Sequence, residues 1–354
     1  MKKLLILILT LTLTARAAPL YTVTLLDGLG DSSRAVAINN AGQVAGSAMT
    51  PGDTTHAVRW TGRAAQDLGW PSVVSEGLAI NTSGQVAGFF LAAGGIPEVA
   101  VRWTGTVPDT LVGYGDGGGG SEAYGINASG QVAGSVSNGV LNLPVRWAGT
   151  GTGGPVQILS RLNDYVWSGA YAISDTGTAV GYLTAPDGSH SLPGRWNGRL
   201  AEVLPGGFGE ALGINGGGQI VGDLGGTAVL WTNDLPIGLW GAGWASGINA
   251  KGEAVGMSGV APRPMLYTDG AAYLLDTLLP ADSAITNLTI AKYSASINDF
   301  GQIAATGTIA GVEHALRLDP IATPEPSSAL LLLGGGLLLA RRRNTNSKAS
   351  YGTL

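Results

Sequence analysis

The chain has 354 residues, 45% of them hydrophobic, with 58 glycines, no cysteine and a formal net charge of −5. With no cysteine there is no disulfide framework, so an exported form must fold on a hydrophobic core, which a chain of this length can supply. Between residues 18 and 323, 12 Lys and Arg stand against 23 Asp and Glu. That acidic body repels phosphate backbones and excludes nucleic acid as the expected partner.

The first residues place Lys2 and Lys3 before an apolar run from Leu4 to about Thr14, then Ala15-Arg16-Ala17 before Ala18. A basic start, an apolar stretch and a small-x-small cleavage pattern make residues 1–17 a secretory signal peptide, with the mature chain starting at Ala18. Next comes "LYTVTLLDGLG" (20–30), a strand with its exit loop.

From residue 37 one pattern returns seven times, first as "AINNAGQVAG" (37–46) and last as "SINDFGQIAA" (296–305). Its isoleucines are Ile38, Ile80, Ile126, Ile173, Ile214, Ile248 and Ile297, at intervals of 34 to 49 residues. Such a period points to a propeller or a solenoid. Each copy reads as a short apolar strand, a turn closed by Gly, and a second strand. A third strand carries Trp60, Trp103, Trp147, Trp196, Trp231 or Tyr267, and a fourth follows a Gly-containing step. No 3.6-residue periodicity appears, so the expected fold is all-β: a seven-bladed β-propeller over residues 18–320. Its last blade stops after three strands and is completed by the N-terminal one, which leaves no open edge. Arg59, Arg102, Arg146, Arg195 and Arg317 keep step with the blades, and this periodicity predicts contacts between blades.

The links from strand two to three, and from strand four to the next blade, are longer than the others. Long loops gathered on one face mark a binding surface. Trp70, Tyr114, Tyr165, Trp167, Phe208, Trp240, Trp244 and Tyr293 lie in or beside the blade-to-blade links. The first seven are the candidate ligand-binding residues, because indole and phenol rings stack on sugar faces. Sealing between blades is the competing role. "GYGDGG" (113–118) has no helix after it and carries no nucleotide site. Calcium around Asp116 and Glu122 is a weak alternative, since the spaced carboxylates of a calcium loop are missing. No cofactor or other metal is expected. His56, His190 and His314 are scattered, and no HExxH or G-x-S-x-G string occurs. An enzyme is therefore not expected, although loop carboxylates such as Asp116, Glu122, Asp164 and Glu210 leave a hydrolase of glycans or lactones as the alternative.

The chain ends with Pro324-Glu325-Pro326, an apolar helix expected over 329–340, Arg341, Arg342 and Arg343, and a tail at 344–354. Twelve apolar residues span about 18 Å, short of a bilayer core, so this is a marginal membrane segment with its arginines on the cytoplasmic side. Residues 321–343 resemble a PEP-CTERM sorting signal, which implies recognition and cleavage by an exosortase, transient anchoring by the helix, and delivery to the cell surface or extracellular matrix. The repeat also resembles the HAF repeat of exported bacterial proteins, on "INNAGQVAG" with "HAVRW" (56–60), which implies a propeller. Together these readings predict a non-catalytic binding protein engaging exopolysaccharide through the long-loop face. A self-associating matrix protein is a further alternative.

Overall fold

The computed structural model describes residues 18, 20–70, 72–91, 98–111, 113, 119–137, 140–149, 156–162, 167–184 and 189–321. The expected signal peptide, Tyr114, Asp116, Asp164, Tyr165 and everything after Ile321 lie outside them. Among the described residues no helix is long and apolar enough to cross a membrane.

The architecture is all-β. After β1 (Leu20–Leu25), the first copy forms β2 (Ser33–Ile38), β3 (Val44–Met49), β4 (Thr55–Thr61) and β5 (Ala64–Asp67). The second forms β6 (Ser75–Ile80), β7 (Val86–Leu91), β8 (Glu98–Thr104) and β9 (Val107–Thr110). The third forms β10 (Ser121–Ile126), β11 (Val132–Ser137), β12 (Asn142–Trp147) and β13 (Val156–Ile158), and the fourth β14 (Ser168–Ile173), β15 (Ala179–Thr184), β16 (Ser191–Asn197) and β17 (Leu200–Val203). Each set is a four-stranded antiparallel sheet in sequence order. The fifth copy gives β18 (Gly209–Ile214), β19 (Ile220–Leu224) and β20 (Thr227–Thr232). Then β21 (Leu235–Ile248) runs on to β22 (Ala254–Ser258), β23 (Pro264–Thr268) and β24 (Ala271–Leu274), and these seven strands form one sheet. The seventh copy gives β25 (Thr286–Thr289), β26 (Ile303–Ile309) and β27 (Val312–Ile321), and β1 pairs outside β27.

β21 corrects one expectation. Residues 235–242 pair with β20 and 243–248 with β22, so no loop separates the fifth and sixth copies. Trp240 and Trp244 therefore sit on a strand. The run "GLWGAGW" has the alternation of a strand, and the backbone turns within it at Gly243, whose φ is +134°.

The repeated motif explains itself atom by atom. The Oδ1 of Asn39 accepts the N–H groups of Ala41 and Gln43, closing the turn, while Gly42 takes a φ of +72°. Its Nδ2 donates to Gln43 Oε1 at 2.9 Å and to the Asn81 carbonyl of the next copy at 2.8 Å. Asn81 reaches the Asn127 carbonyl in the same way, Asn127 that of Ser174, Asn215 that of Asn249, and Asn249 that of Asn298. Asn298 returns to the Asn39 carbonyl at 2.9 Å, so every seam between copies carries this bond except the one from Ser174 to the fifth copy. Arg59, Arg102, Arg146 and Arg317 add bonds to the turn-glycine carbonyls of the next copy, at Gly84, Gly130, Gly177 and Gly42.

The second glycine of the motif has a different cause. The first strands bulge two residues before the motif isoleucine, as between Ala35 and Ala37, which drives one carbonyl toward the facing strand. A Cβ at Gly46 would lie 2.0 Å from the Arg34 oxygen, and the same collision recurs at Gly88, Gly134, Gly181, Gly222 and Gly256. Between the sheets Trp60, Trp147, Trp196 and Trp231 are fully buried, with Trp60, Trp196 and Trp231 donating their indole N–H to the carbonyls of Asp27, Ser160 and Pro205. Asn81→Ala is expected to lower the unfolding free energy by about 2–3 kcal/mol in a urea melt, because a buried side chain with five hydrogen bonds is lost. Thr82→Ala, exposed in the same turn, should change it by no more than about 0.5 kcal/mol.

Candidate functional site

Five residues before each motif asparagine (Ser174 in the fourth copy), the first strands present Arg34, Glu76, Glu122, Gly169, Glu210, Trp244 and Tyr293. Two residues further on stand Tyr124 and Tyr171. These positions open each sheet beside the long links, so the seven copies carry polar and aromatic groups to one mouth of the ring axis.

The seventh copy departs from the others there. Ala305 stands where the other copies have the second glycine, and its Cβ fills the space that a bulged carbonyl takes elsewhere. The inner strand is accordingly split: β25 pairs with β26, residues 290–295 leave the sheet, and pairing resumes at Ile297 with Ile303. This insert delivers Lys292 and Tyr293 to the axis. The Tyr293 ring lies 4.2 Å from Tyr171 and 6.0 Å from Tyr124, and Tyr171 stacks on Tyr182 at 5.4 Å. Lys292 Nζ donates to Glu210 Oε2 at 3.0 Å and lies 4.9 Å from the Tyr293 ring centre. Behind these tyrosines a cavity of about 60 Å³ lies on the axis, lined by motif isoleucines such as Ile126, Ile173 and Ile214.

Beside the plug lies an open cavity of about 800 Å³. Trp244 forms one wall, with Arg34, Lys292, Asp223 and Glu313 around it and the hydroxyls of Ser258, Thr289 and Thr306. Trp244 is half-buried and packs on the core beneath, which fixes its ring. No side-chain hydrogen bond or ion pair holds the Arg34 guanidinium among the described residues. The volume is that of an ordinary small-ligand site.

Burial governs the carboxyl groups. The Glu122 carboxyl is pushed up to about 8 by burial, by a hydrogen bond with Glu98 and by that residue's charge, and Tyr124 Oη donates to Glu122 Oε2. The Glu98 carboxyl thus favours the protonated form of Glu122. Burial also raises Glu76, opposed by Arg34, and raises Asp223, opposed by Lys292. Burial pulls the Lys292 ammonium down, but Glu210 and Tyr293 outweigh it and leave it above the usual lysine value. Burial holds the Tyr171 hydroxyl well above the normal phenol range.

The aromatic residues expected to bind divide by place. Trp167 and Phe208 are 56% and 57% exposed, the latter with its ring 3.5 Å from that of His190. Trp70 is 39% exposed and meets Phe90 edge-on at 4.9 Å. Trp240 is turned inward, packing on the core and donating to the Met257 carbonyl at 3.3 Å. Only Trp244 lines the large cavity. His56 is held by Asp67 at 3.0 Å in the first sheet. Among the described residues no group of three or more His, Asp or Glu is placed to hold a metal ion. Arg34, Glu98, Asp223 and Lys292 were not singled out from the sequence. Aligning the copies on their asparagine exposes the column that holds Arg34, but Lys292 belongs to the one copy that breaks the pattern.

Residues 322–344 match the model of the PEP-CTERM protein-sorting motif, a recognition signal for exosortase processing, so this is an exported, cell-surface-associated protein. A comparison with curated proteins finds no match. Among solved structures, TolB from Acinetobacter baumannii is similar at 10% identity and a TM-score of 0.44, over 80% of this chain and 64% of that one. A puromycin-hydrolyzing peptidase from Mycobacterium tuberculosis is similar at 14% identity and a TM-score of 0.48, over 84% and 54%. A gluconolactonase from Xanthomonas campestris is similar at 11% identity and a TM-score of 0.40, over 86% and 91%.

The raised Glu122 carboxyl has a measurable consequence. A carboxyl at about 8 in the folded chain, against 4.5 for the free group, keeps its proton where the unfolded chain has lost it. The stability it contributes is complete at low pH and is lost as pH rises through the folded value. Urea midpoints of the wild type should therefore decline between about pH 5 and pH 8, and the decline should largely vanish in Glu122→Gln. A wild-type midpoint that stays level over that range would rule out the raised Glu122 carboxyl.

Proposed function

We propose that the chain is a seven-bladed β-propeller that binds polysaccharide without catalysis at the cell surface or in the extracellular matrix. The cavity beside Trp244 carries the reading. It offers one fixed indole face, hydroxyl groups on several strands, and charged groups of both signs within a volume that admits about two sugar rings. Trp70, Trp167 and Phe208, exposed at the rim, extend the stacking surface along a chain-like ligand. The sorting motif supports the place of action, because an exported surface protein meets exopolysaccharide first.

The hydrogen-bonded Glu98–Glu122 pair favours one rival reading, a hydrolase of glycans or lactones in which Glu122 holds a proton at neutral pH. The two are separated on a glycan array that includes polysaccharide from the producing organism, followed by calorimetry with the full chain. Saturable binding that weakens about tenfold or more in Trp244→Ala, with no release of reducing ends, supports the binding protein. Turnover that disappears in Glu122→Gln supports the hydrolase. Silence of the folded protein across the array would discard both glycan readings.

A further inference from the structure

The seams between copies are not equally bonded. Between the first and second copies, Asn39 and Arg59 reach across to the carbonyls of Asn81 and Gly84, and Ser75 Oγ accepts the N–H of Ala57. Between the third and fourth, Asn127 reaches Ser174, Arg146 reaches Gly177, and Asp175 accepts the N–H of Ala128.

The seam from the fourth copy to the fifth lacks both the asparagine latch and the bond from an arginine to the next glycine turn, among the described residues. Ser174 replaces the asparagine and Thr178 the glutamine. The Ser174 hydroxyl closes its own turn, accepting the Thr178 N–H at 3.2 Å, but is too short to reach the next copy. Arg195 does not reach the following glycine turn; it pairs with Glu202 of its own copy and, across the seam at the exposed rim, with Asp234 of the fifth copy at 2.6 Å. A groove of about 470 Å³ opens where the latch is missing, between Ser174, Thr176 and Thr178 on one side and Asn215 and Gly216–Gly218 on the other. Apolar packing around Val180, Ile220 and Trp231 still closes the seam lower down.

The insert of the seventh copy lands on the two strands that flank this seam. Tyr293 packs on Tyr171 of β14, and Lys292 is bonded to Glu210 of β18. We propose that the insert 290–295 is a clamp that holds the ring closed, from across the axis, at the seam that lacks the buried asparagine latch. The clamp also lines the large cavity through Lys292, so an occupant that engages Lys292 competes with Glu210 and loosens the seam. The mouth and the seam are thereby coupled. The clamp itself is a property of the empty protein and stands apart from the polysaccharide reading.

Hydrogen exchange of the full chain, read by mass spectrometry without ligand, tests it. In Lys292→Ala/Tyr293→Ala, peptides covering 168–174 and 209–215 should exchange about tenfold or more faster, with peptides covering 55–61 and 75–81 unchanged. Adding Ser174→Asn and Thr178→Gln to that variant supplies the missing latch and should return much of the protection at the seam. Near-UV dichroism confirms that each variant keeps its tertiary packing. Equal loss of protection at every seam, or none at the fourth, overturns the proposal. If the clamp variant does not fold, the latch substitutions alone decide: selective extra protection of 168–174 and 209–215 supports a weak seam, and no change there overturns it.

Discussion

The fold depends on one carboxamide used to capacity. An asparagine side chain has an oxygen that accepts two hydrogen bonds and a nitrogen that donates two. In Asn39, Asn127 and their equivalents, the oxygen takes up turn N–H groups, and the nitrogen binds a glutamine and the carbonyl of the next copy. Local and long-range structure are thus set by the same four atoms. Aspartate has no donor for the next copy, and serine lacks the reach, as Ser174 demonstrates. A side chain this buried is tolerable only because every polar atom is satisfied.

A ring built by repetition has nowhere to put a single site unless the repetition fails. It fails at Ala305. A methyl group where the other copies have hydrogen prevents the bulged strand from pairing, and residues 290–295 are left to fill the axis. What distinguishes the mouth follows: the ammonium beside carboxylates and the tyrosine stack. Gly46 and its equivalents are therefore scaffold in six copies, and the loss of that glycine in the seventh shapes the mouth.

This also explains what the sequence discloses. The turn Asn39–Gly42, the buried Trp60 series and the cross-copy arginines are legible because each recurs with the period of the fold. β21 is harder to read, since a strand shared by two copies erases the loop on which a boundary would be recognised. The site is harder still. Tyr171, Glu210, Lys292 and Tyr293 come from copies four, five and seven, and nothing in their spacing along the chain brings them together. The aromatic residues picked out by their place near links divide into exposed rings such as Trp167 and one that serves the core, Trp240, because proximity to a link does not say which way a strand residue faces.

The electrostatics of the mouth narrow what it accepts. Glu76, Glu98, Glu122, Glu210, Asp223 and Glu313 face two cations, Arg34 and Lys292, and Lys292 is already committed to Glu210. The excess is relieved by protons: burial raises Glu76, Glu122 and Asp223, and the Glu98–Glu122 pair keeps one near neutral pH. A multiply charged anion entering here would meet residual negative charge with one unpaired arginine to offset it. A neutral, hydroxyl-rich chain meets instead a set of carboxyl and hydroxyl groups able to give and accept hydrogen bonds around one indole face. The mouth therefore suits a neutral or amine-bearing group better than a multiply charged anion.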